Sequence, residues 1–209
     1  VCNDGAGNLY VADRLNHRIR KIEIATGIVT TVAGSTSGFT DGVGALAQFN
    51  TPQGVCVDGS GNLFVGDSFN SRIRKVVLAT GAVTTLAGSS LGFMDGTGTA
   101  ARFNQALGLC SDGTNLYVAD QGNHRIRKIE IATGIVTTIA GNTSGFMDGI
   151  GSAAQFNTPQ GICLDGAGNL FVTDLLNHRI RKIVIATGTV TTIAGNGTAG
   201  FMNGVGTAA

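Results

Sequence analysis

The sequence has no tryptophan, only 2 prolines and 3 histidines, and its charged residues amount to 13%. Little charge combined with 43% apolar residues excludes a disordered segment. No apolar run approaches the roughly 18 residues of a membrane helix, so we expect no membrane span. A net charge of +1 gives no electrostatic argument for a nucleic-acid partner. The chain begins Val-Cys-Asn-Asp, without methionine or a signal sequence, which indicates a piece of a longer protein.

Glycine is abundant instead, at 33 of 209 residues, and the chain contains a long internal repeat. The string Val-Cys-Asn-Asp-Gly returns three times as Val-Cys-Val-Asp-Gly, Leu-Cys-Ser-Asp-Gly and Ile-Cys-Leu-Asp-Gly. The single domain, residues 1–209, therefore divides into repeats 1–54, 55–108, 109–161 and 162–209. Residues 8–34 and 115–141 are identical at 24 of 27 positions, so these copies have diverged little.

Each repeat predicts four short strands, which in the first repeat cover residues 1–4, 8–13, 18–24 and 28–33. Turn signals such as Asp4-Gly5 and Thr26-Gly27 separate these β-branched segments. A helical interpretation does not fit, because glycine recurs every few residues. Four strands in each unit of roughly 50 residues predict the blades of a β-propeller.

The turn between the second and third strands carries a family resemblance. The motif Asp13-x-x-Asn16-His17-Arg18-Ile19-Arg20-Lys21 recurs in all four repeats and resembles the NHL repeat. The linkers between repeats look like those of secreted and cell-surface NHL proteins. The resemblance implies an all-β, NHL-type propeller with four four-stranded blades covered. It also implies a six-bladed ring, which we favour over a closed ring of four blades.

The second repeat departs from this pattern at two places. Ser71 stands where the other repeats have histidine, and Gln105-Ala106-Leu107 replaces Thr51-Pro52-Gln53. The histidine and the proline are therefore helpful to the fold rather than indispensable.

The turns between second and third strands lie on the same face as the linkers, because the strands are antiparallel. Their tips differ among copies that are otherwise nearly identical. The tip residues that we single out are Leu15, Phe69, Gln121, Leu175 and Leu176. Apolar side chains at loop tips favour a face that binds a protein or glycan ligand. Drift at solvent-exposed turns explains the same variability, so both explanations stay open at this point.

Beside these tips we predict a structural turn network of ion pairs and hydrogen bonds. Twelve of the 14 basic residues lie in Arg-x-Arg-Lys tetrads, each a few residues after an aspartate. The network comprises Asp13, His17, Arg18, Asp67, Arg72, Asp120, His124, Arg125, Asp174, His178 and Arg179. The histidines are held a blade apart, so we expect hydrogen-bonded turn residues rather than zinc ligands.

The linkers of about 20 residues hold further candidates. Each of the first three carries two phenylalanines, and we expect both rings to be buried against a blade. One aspartate per linker, in Asp-Gly-x-Gly, predicts a turn rather than a calcium site. Asn142 and Asn196 begin N-glycosylation acceptor tripeptides and favour an extracellular or cell-surface setting.

The four cysteines occupy the same slot in the first strand of each repeat: Cys2, Cys56, Cys110 and Cys163. Equivalent positions on neighbouring blades do not normally bring Cα atoms within the ~7 Å that a disulfide requires. We therefore predict four buried, reduced thiols.

Catalysis needs a unique, convergent set of groups, whereas every polar candidate here recurs at blade spacing. We expect a non-enzymatic, extracellular binding or structural scaffold without cofactor or metal, which adds further blades or self-associates. The alternative is a propeller enzyme of the lyase or hydrolase type with a metal in the central channel.

Overall fold

The computed structural model describes residues 1–209 and contains four antiparallel sheets, one for each predicted repeat. The strands are, in chain order, β1 Cys2–Asn3, β2 Asn8–Asp13, β3 Arg18–Glu23, β4 Val29–Ala33, β5 Gly42–Val43, β6 Pro52–Val57, β7 Asn62–Asp67, β8 Arg72–Val77, β9 Ala82–Ala87, β10 Gly96–Thr97, β11 Ala106–Ser111, β12 Asn115–Asp120, β13 Arg125–Glu130, β14 Ile135–Gly141, β15 Gly149–Ile150, β16 Pro159–Leu164, β17 Asn169–Asp174, β18 Arg179–Val184 and β19 Thr189–Ala194. The predicted all-β architecture of four propeller blades is confirmed.

Blades 2, 3 and 4 have five strands rather than the four predicted, because each linker adds one to the blade that follows it. In blade 2 the order is β5-β9-β8-β7-β6, and the linker strand β5 pairs with the outermost blade strand β9. The Gly44 amide continues this pairing by donating to the Gly81 carbonyl oxygen at 3.0 Å. Strands β10 and β15 do the same for blades 3 and 4. Each long linker therefore contributes a strand to a sheet.

Short 3₁₀ turns make up the helical content. They are Arg14–Asn16, Gly44–Leu46, Ser68–Asn70, Gly98–Ala100, Gln121–Asn123, Gly151–Ala153, Leu175–Asn177 and Gly206–Ala208. Four of them connect the second and third strands, and each of these ends on a residue with left-handed backbone: His17, Ser71, His124 or His178. None of these helical segments is long and apolar enough to cross a membrane.

The core consists of three apolar clusters, each between two consecutive blades. We call the side of a blade that packs on the next blade its trailing face, and the opposite side its leading face. In the first cluster the trailing face of blade 1 contributes Tyr10 and Ile19, and the leading face of blade 2 contributes Leu63 and Val65. Gly54 permits the closest approach of inner strands, since a Cβ there would overlap the Leu107 carbonyl.

The outer faces of the first and last blades remain uncovered. No cluster joins blade 4 to blade 1. On the leading face of blade 1, Val29 is 48% exposed, whereas the equivalent Val83 and Val190 are buried. On the trailing face of blade 4, Cys163 is exposed, whereas Cys56 is buried. The four blades therefore form an open arc, and neither the closed four-bladed ring nor a six-bladed ring is observed.

Candidate functional site

The predicted tip residues all lie in the 3₁₀ turns on one face of the arc, which we call the loop face. Leu15 is 79% exposed, Phe69 and Leu176 are each 56% exposed, Leu175 is exposed and Gln121 is half-buried. The turns are anchored on the linkers before them: the Phe69 amide donates to Asn50 O at 3.2 Å. The loop face thus carries apolar tips on a backbone that is fixed from below.

A buried aspartate lies under each of the last three turns. In blade 3, Asp120 Oδ1 accepts the Asn104 amide at 2.8 Å, and Oδ2 accepts Asn123 Nδ2 at 2.9 Å and Arg127 Nη1 at 2.7 Å. Asp67 and Asp174 have the equivalent partners in blades 2 and 4. Burial raises the pKa of Asp120, and the Arg127 charge and these hydrogen bonds oppose that effect. Each aspartate joins its turn to a strand and to the preceding linker.

The arginine that pairs with this aspartate is the second of the tetrad, not the first. Arg127 is fully buried and bridges two carboxylates, Asp120 at 2.7 Å and Asp95 of the preceding linker at 2.7 Å. Arg74 is held in the same way by Asp67 and Asp41, and Arg181 by Asp174 and Asp148. The interpretation of the linker aspartates as turn residues missed this role. We refer to each such set of one arginine and two carboxylates as a clasp.

The first arginine of the tetrad, which we had placed in the aspartate network, serves a different purpose. In blades 2, 3 and 4 its guanidinium lies over the first phenylalanine of the preceding linker; the pairs are Arg72–Phe39, Arg125–Phe93 and Arg179–Phe146, at 4.4, 3.8 and 3.8 Å from the ring centroid. It also donates to a backbone oxygen of the turn, as Arg18 does to Asn16 O at 3.0 Å in blade 1. These first phenylalanines are exposed, so the expectation that both linker rings are buried holds only for Phe49, Phe103 and Phe156.

The histidines tie each turn to the start of the next blade. His17 Nδ1 accepts the Thr51 amide at 3.3 Å, and His124 Nδ1 accepts the Thr158 amide at 3.2 Å. Burial lowers the pKa of His124, and the nearby Arg125 charge lowers it further, which suits a neutral imidazole acting as acceptor. His178 ends the last turn in the same left-handed conformation. The predicted role of hydrogen-bonded turn residue matches His17 and His124.

Blade 1 has the weakest version of this network. Arg20 and Asp13 lie 3.5 Å apart, and both side chains are partly exposed. Arg20 pairs with one carboxylate, that of Asp13.

Blade 2 carries a cleft of about 600 Å³ on the loop face, between the linkers on its two sides. The residues that line it include Phe39, Phe69, Asn70, Ser71, Arg72, Leu91 and Gln105. It lies where the second repeat departs from the others: Ser71 replaces the histidine of three repeats, and Gln105 replaces Thr51 and Thr158. Sequence reasoning noted both departures without connecting them to a cavity.

The remaining sequence candidates lie apart from this cleft. All four cysteines are unpaired, but only Cys56 is buried. Cys2 and Cys110 are partly buried and Cys163 is exposed, so the expectation of four buried thiols is met in full by Cys56 alone. Asn142 and Asn196 are both exposed, and Asn142 Oδ1 accepts Arg125 Nη2 at 3.0 Å. No group of three or more His, Cys, Asp and Glu side chains is placed to hold a metal ion.

Comparisons with known proteins agree with this architecture. The family model described as "NHL repeat" matches residues 49–76 and 156–183. NHL repeat-containing protein 2 of Bos taurus is 36% identical over 69% of this chain and 22% of its own length. Protein SUPPRESSOR OF QUENCHING 1, chloroplastic, of Arabidopsis thaliana is 31% identical over 84% of this chain and 18% of its own. The chain thus spans about a fifth of the length of these relatives.

Solved structures share the fold at low identity. An auxiliary nutrient binding protein of Bacteroides thetaiotaomicron has a TM-score of 0.66 and 22% identity over 88% of this chain and 45% of its own. A chain of a nidogen/laminin complex has a TM-score of 0.68 and 17% identity over 90% and 61% of the two chains. A catalytically inactive virginiamycin B lyase of Staphylococcus aureus has a TM-score of 0.62 and 13% identity over 90% and 52%. These likenesses establish a common fold and leave the activity open.

Proposed function

Because the chain belongs to the NHL-repeat family, we propose that it is a non-enzymatic binding or structural scaffold at the cell surface or outside the cell. Its loop face binds a protein or glycan ligand. The observation that carries the proposal is the contrast between variable apolar tips and the near-identical blades that hold them. Leu15, Phe69 and Leu176 are each more than half exposed, and the turns that carry Phe69 and Leu176 are fixed by clasps.

This division of labour suits recognition. Apolar side chains on a rigid support lose little conformational freedom when they bind, so more of the burial energy remains as affinity. Two structural neighbours, an auxiliary nutrient binding protein and a chain of a nidogen/laminin complex, are consistent with such a use of the fold. The two exposed acceptor asparagines, Asn142 and Asn196, support the extracellular setting.

We favour binding over catalysis because the polar groups repeat around the arc and do not converge. In each clasp the arginine and the turn aspartate are fully buried and paired with each other, so these two charges are not available to a substrate. Titration with zinc and calcium addresses the enzymatic alternative, which stoichiometric tight binding would revive.

The uncovered leading and trailing faces support a further part of the proposal, that the arc is extended by more blades. Every internal interface seats an aromatic residue of the trailing face against the leading face of the next blade, and Tyr10, Phe64 and Tyr117 are buried in this way. The equivalent Phe171 of blade 4 is only half-buried. Its apolar area would be covered, at about 25 cal/mol per Å², by another blade of the same chain or of a second copy.

The test of the loop face uses two triple variants of the full chain. One replaces the tips (Leu15→Ser, Phe69→Ser, Leu176→Ser), and the matched control replaces exposed alanines on the opposite face (Ala25→Ser, Ala79→Ser, Ala186→Ser). Binding is measured against a glycan array and immobilised laminin. We expect the tip variant to bind its ligand at least about tenfold more weakly and the control to bind like wild type. Equal losses in both variants, or no binding by wild type, would refute the proposed function.

A further inference from the structure

The cleft of blade 2 differs from the same place in blades 1 and 3 by one missing acceptor. In those blades an imidazole Nδ1 accepts the amide of the residue before the inner strand, Thr51 or Thr158. No hydrogen bond joins Ser71 to Gln105, and the backbone amide of Gln105 donates to no group of the protein. Gln105 nevertheless keeps the left-handed backbone of Thr51 and Thr158, with φ of 57°. The amide is therefore presented in the same way, with room above it.

A second donor is released at the same place. In blade 3, Arg125 Nη2 donates to Asn142 at 3.0 Å, and in blade 4, Arg179 Nη2 donates to the Asn196 carbonyl at 3.0 Å. Serine occupies the corresponding position in blade 2, at Ser89. Arg72 makes no hydrogen bond to Ser89 and uses only Nη1, which donates to Asn70 O at 2.9 Å. Its guanidinium is held over the Phe39 ring, so the remaining N–H groups have a fixed position.

The charge and shape of the cleft indicate what it binds. Arg72 is its only charged lining residue, and no carboxylate lines it. The volume of about 600 Å³ lies within the usual range of small-molecule sites, roughly 300–1,000 Å³. The Gln105 backbone amide and the free N–H groups of Arg72 lack an acceptor, and Arg72 forms no ion pair. An anion with oxygen acceptors would satisfy both donors and balance the charge.

The rest of the lining favours a sugar as the body of that anion. The hydroxyls of Ser71 and Ser90 and the side-chain carboxamide of Gln105 can each donate and accept, as sugar hydroxyls also do. Phe69 and Leu91 supply exposed apolar surface beside them. A peptide carboxylate could accept hydrogen bonds from Arg72 and the Gln105 backbone amide, but it offers few hydroxyl groups to pair with the polar side chains of the cleft.

We propose that the blade-2 cleft binds a carboxylate-bearing sugar, a uronic acid residue, with its carboxylate on the Arg72 guanidinium and the Gln105 amide. This inference rests on the proposed function, because it assigns one ligand class to one part of the loop face. The sugar is either free or the terminal residue of a glycan chain.

The experiment titrates the full chain with D-glucuronate, D-glucose, propionate and a glucuronate-terminated oligosaccharide, by calorimetry. Ser71→His restores the residue that the other blades carry in this backbone conformation, so it fills the cleft while preserving the fold. Arg72→Gln removes the charge, and Arg125→Gln is its matched control in blade 3. We expect Ser71→His and Arg72→Gln each to weaken glucuronate binding at least tenfold, and Arg125→Gln to leave it unchanged. Glucose and propionate should bind at least tenfold more weakly than glucuronate.

Each arm has a distinct meaning. Tighter binding of the oligosaccharide than of glucuronate identifies a glycan terminus as the source, and equal binding identifies the free sugar acid. Propionate that binds as well as glucuronate would overturn the sugar and favour a peptide carboxylate. The site would be overturned if glucuronate bound to Ser71→His as tightly as to wild type, or if it did not bind to wild type at all. If the loop-tip variant still lost its array ligand in that case, the proposed function would stand without this cleft.

Discussion

Replacing Asp120 by asparagine isolates the contribution of one clasp. The substitution keeps the shape of the side chain and removes the charge that faces Arg127 Nη1 at 2.7 Å inside a fully buried environment. Stripping a buried ion of its only partner costs about 3–5 kcal/mol, but Arg127 keeps Asp95 as a second partner. We therefore expect a loss of about 2–4 kcal/mol in the free energy of unfolding.

Blade 1 provides the matched control in the same chain. Asp13 and Arg20 form the equivalent pair at 3.5 Å, but both are partly exposed, so Asp13→Asn should cost less than about 1 kcal/mol. Urea unfolding followed by far-ultraviolet circular dichroism measures both, since the chain has no tryptophan to report by fluorescence. Equal shifts for the two variants would show that burial does not set the strength of the clasp, contrary to this reasoning.

Two further predictions concern titrating groups. Burial raises the pKa of Asp112, but hydrogen bonds from Asn115 and the Thr114 amide outweigh this effect, so the pKa in the folded protein is lowered. The ionised Asp112 therefore stabilises the fold at pH values above its unfolded pKa of about 3.9. This stabilisation is lost as the pH falls through the lower pKa of the folded protein. Urea midpoints of Asp112→Asn should thus lie below those of wild type at pH 6 and converge with them near pH 2.5, and a constant difference would contradict the assignment. Among the thiols, Cys163 should react first with a thiol reagent at pH 8, because burial raises the pKa of Cys110 to about 12 and shields Cys56. Cys163 labelling should slow as protein concentration rises, and a rate independent of concentration would count against coverage of this face by a second copy.

Much of the fold can be predicted from the sequence because the turns and strands of each blade are determined by residues close together in the chain. Asp4-Gly5 and Thr26-Gly27 mark the turns, and the β-branched segments between them become β2, β3 and β4 with bounds within about one residue of those predicted. The left-handed backbone at His17 fits a residue that ends a tight turn. Such features depend on neighbours a few residues away.

The clasps could not be predicted from one repeat in isolation, because they join residues from different repeats. Asp41 reaches Arg74 across 33 residues, and Asp148 reaches Arg181 across 33. The similar separation between linker aspartate and arginine in successive repeats could have indicated the pairing. Asp67, however, lies closer to Arg74 in sequence and was the simpler partner to predict. The fifth strands escaped notice for another reason: Gly42-Val43 is too short to show a strand pattern.

The candidate cleft could be predicted only in part from the sequence. Ser71 and Gln105 were visible as departures from the repeat, yet 34 residues separate them, as they separate His17 from Thr51. Only the geometry shows that one departure removes the acceptor of the other. Exposure of Cys163 was equally invisible, because it depends on the face of a blade that the chain does not itself cover.

The forward reach of the linkers fixes the order in which a blade can be completed during synthesis. Asp41 and Gly42–Val43 supply the second carboxylate and the outer strand of blade 2, and they leave the ribosome before the other four strands of that blade. When β9 emerges, its edge partner is already present, so the sheet closes without waiting for downstream sequence. Translation thus delivers each blade with its own edge protection, and the one surface that a new blade must leave open is the face toward the blade still to be made.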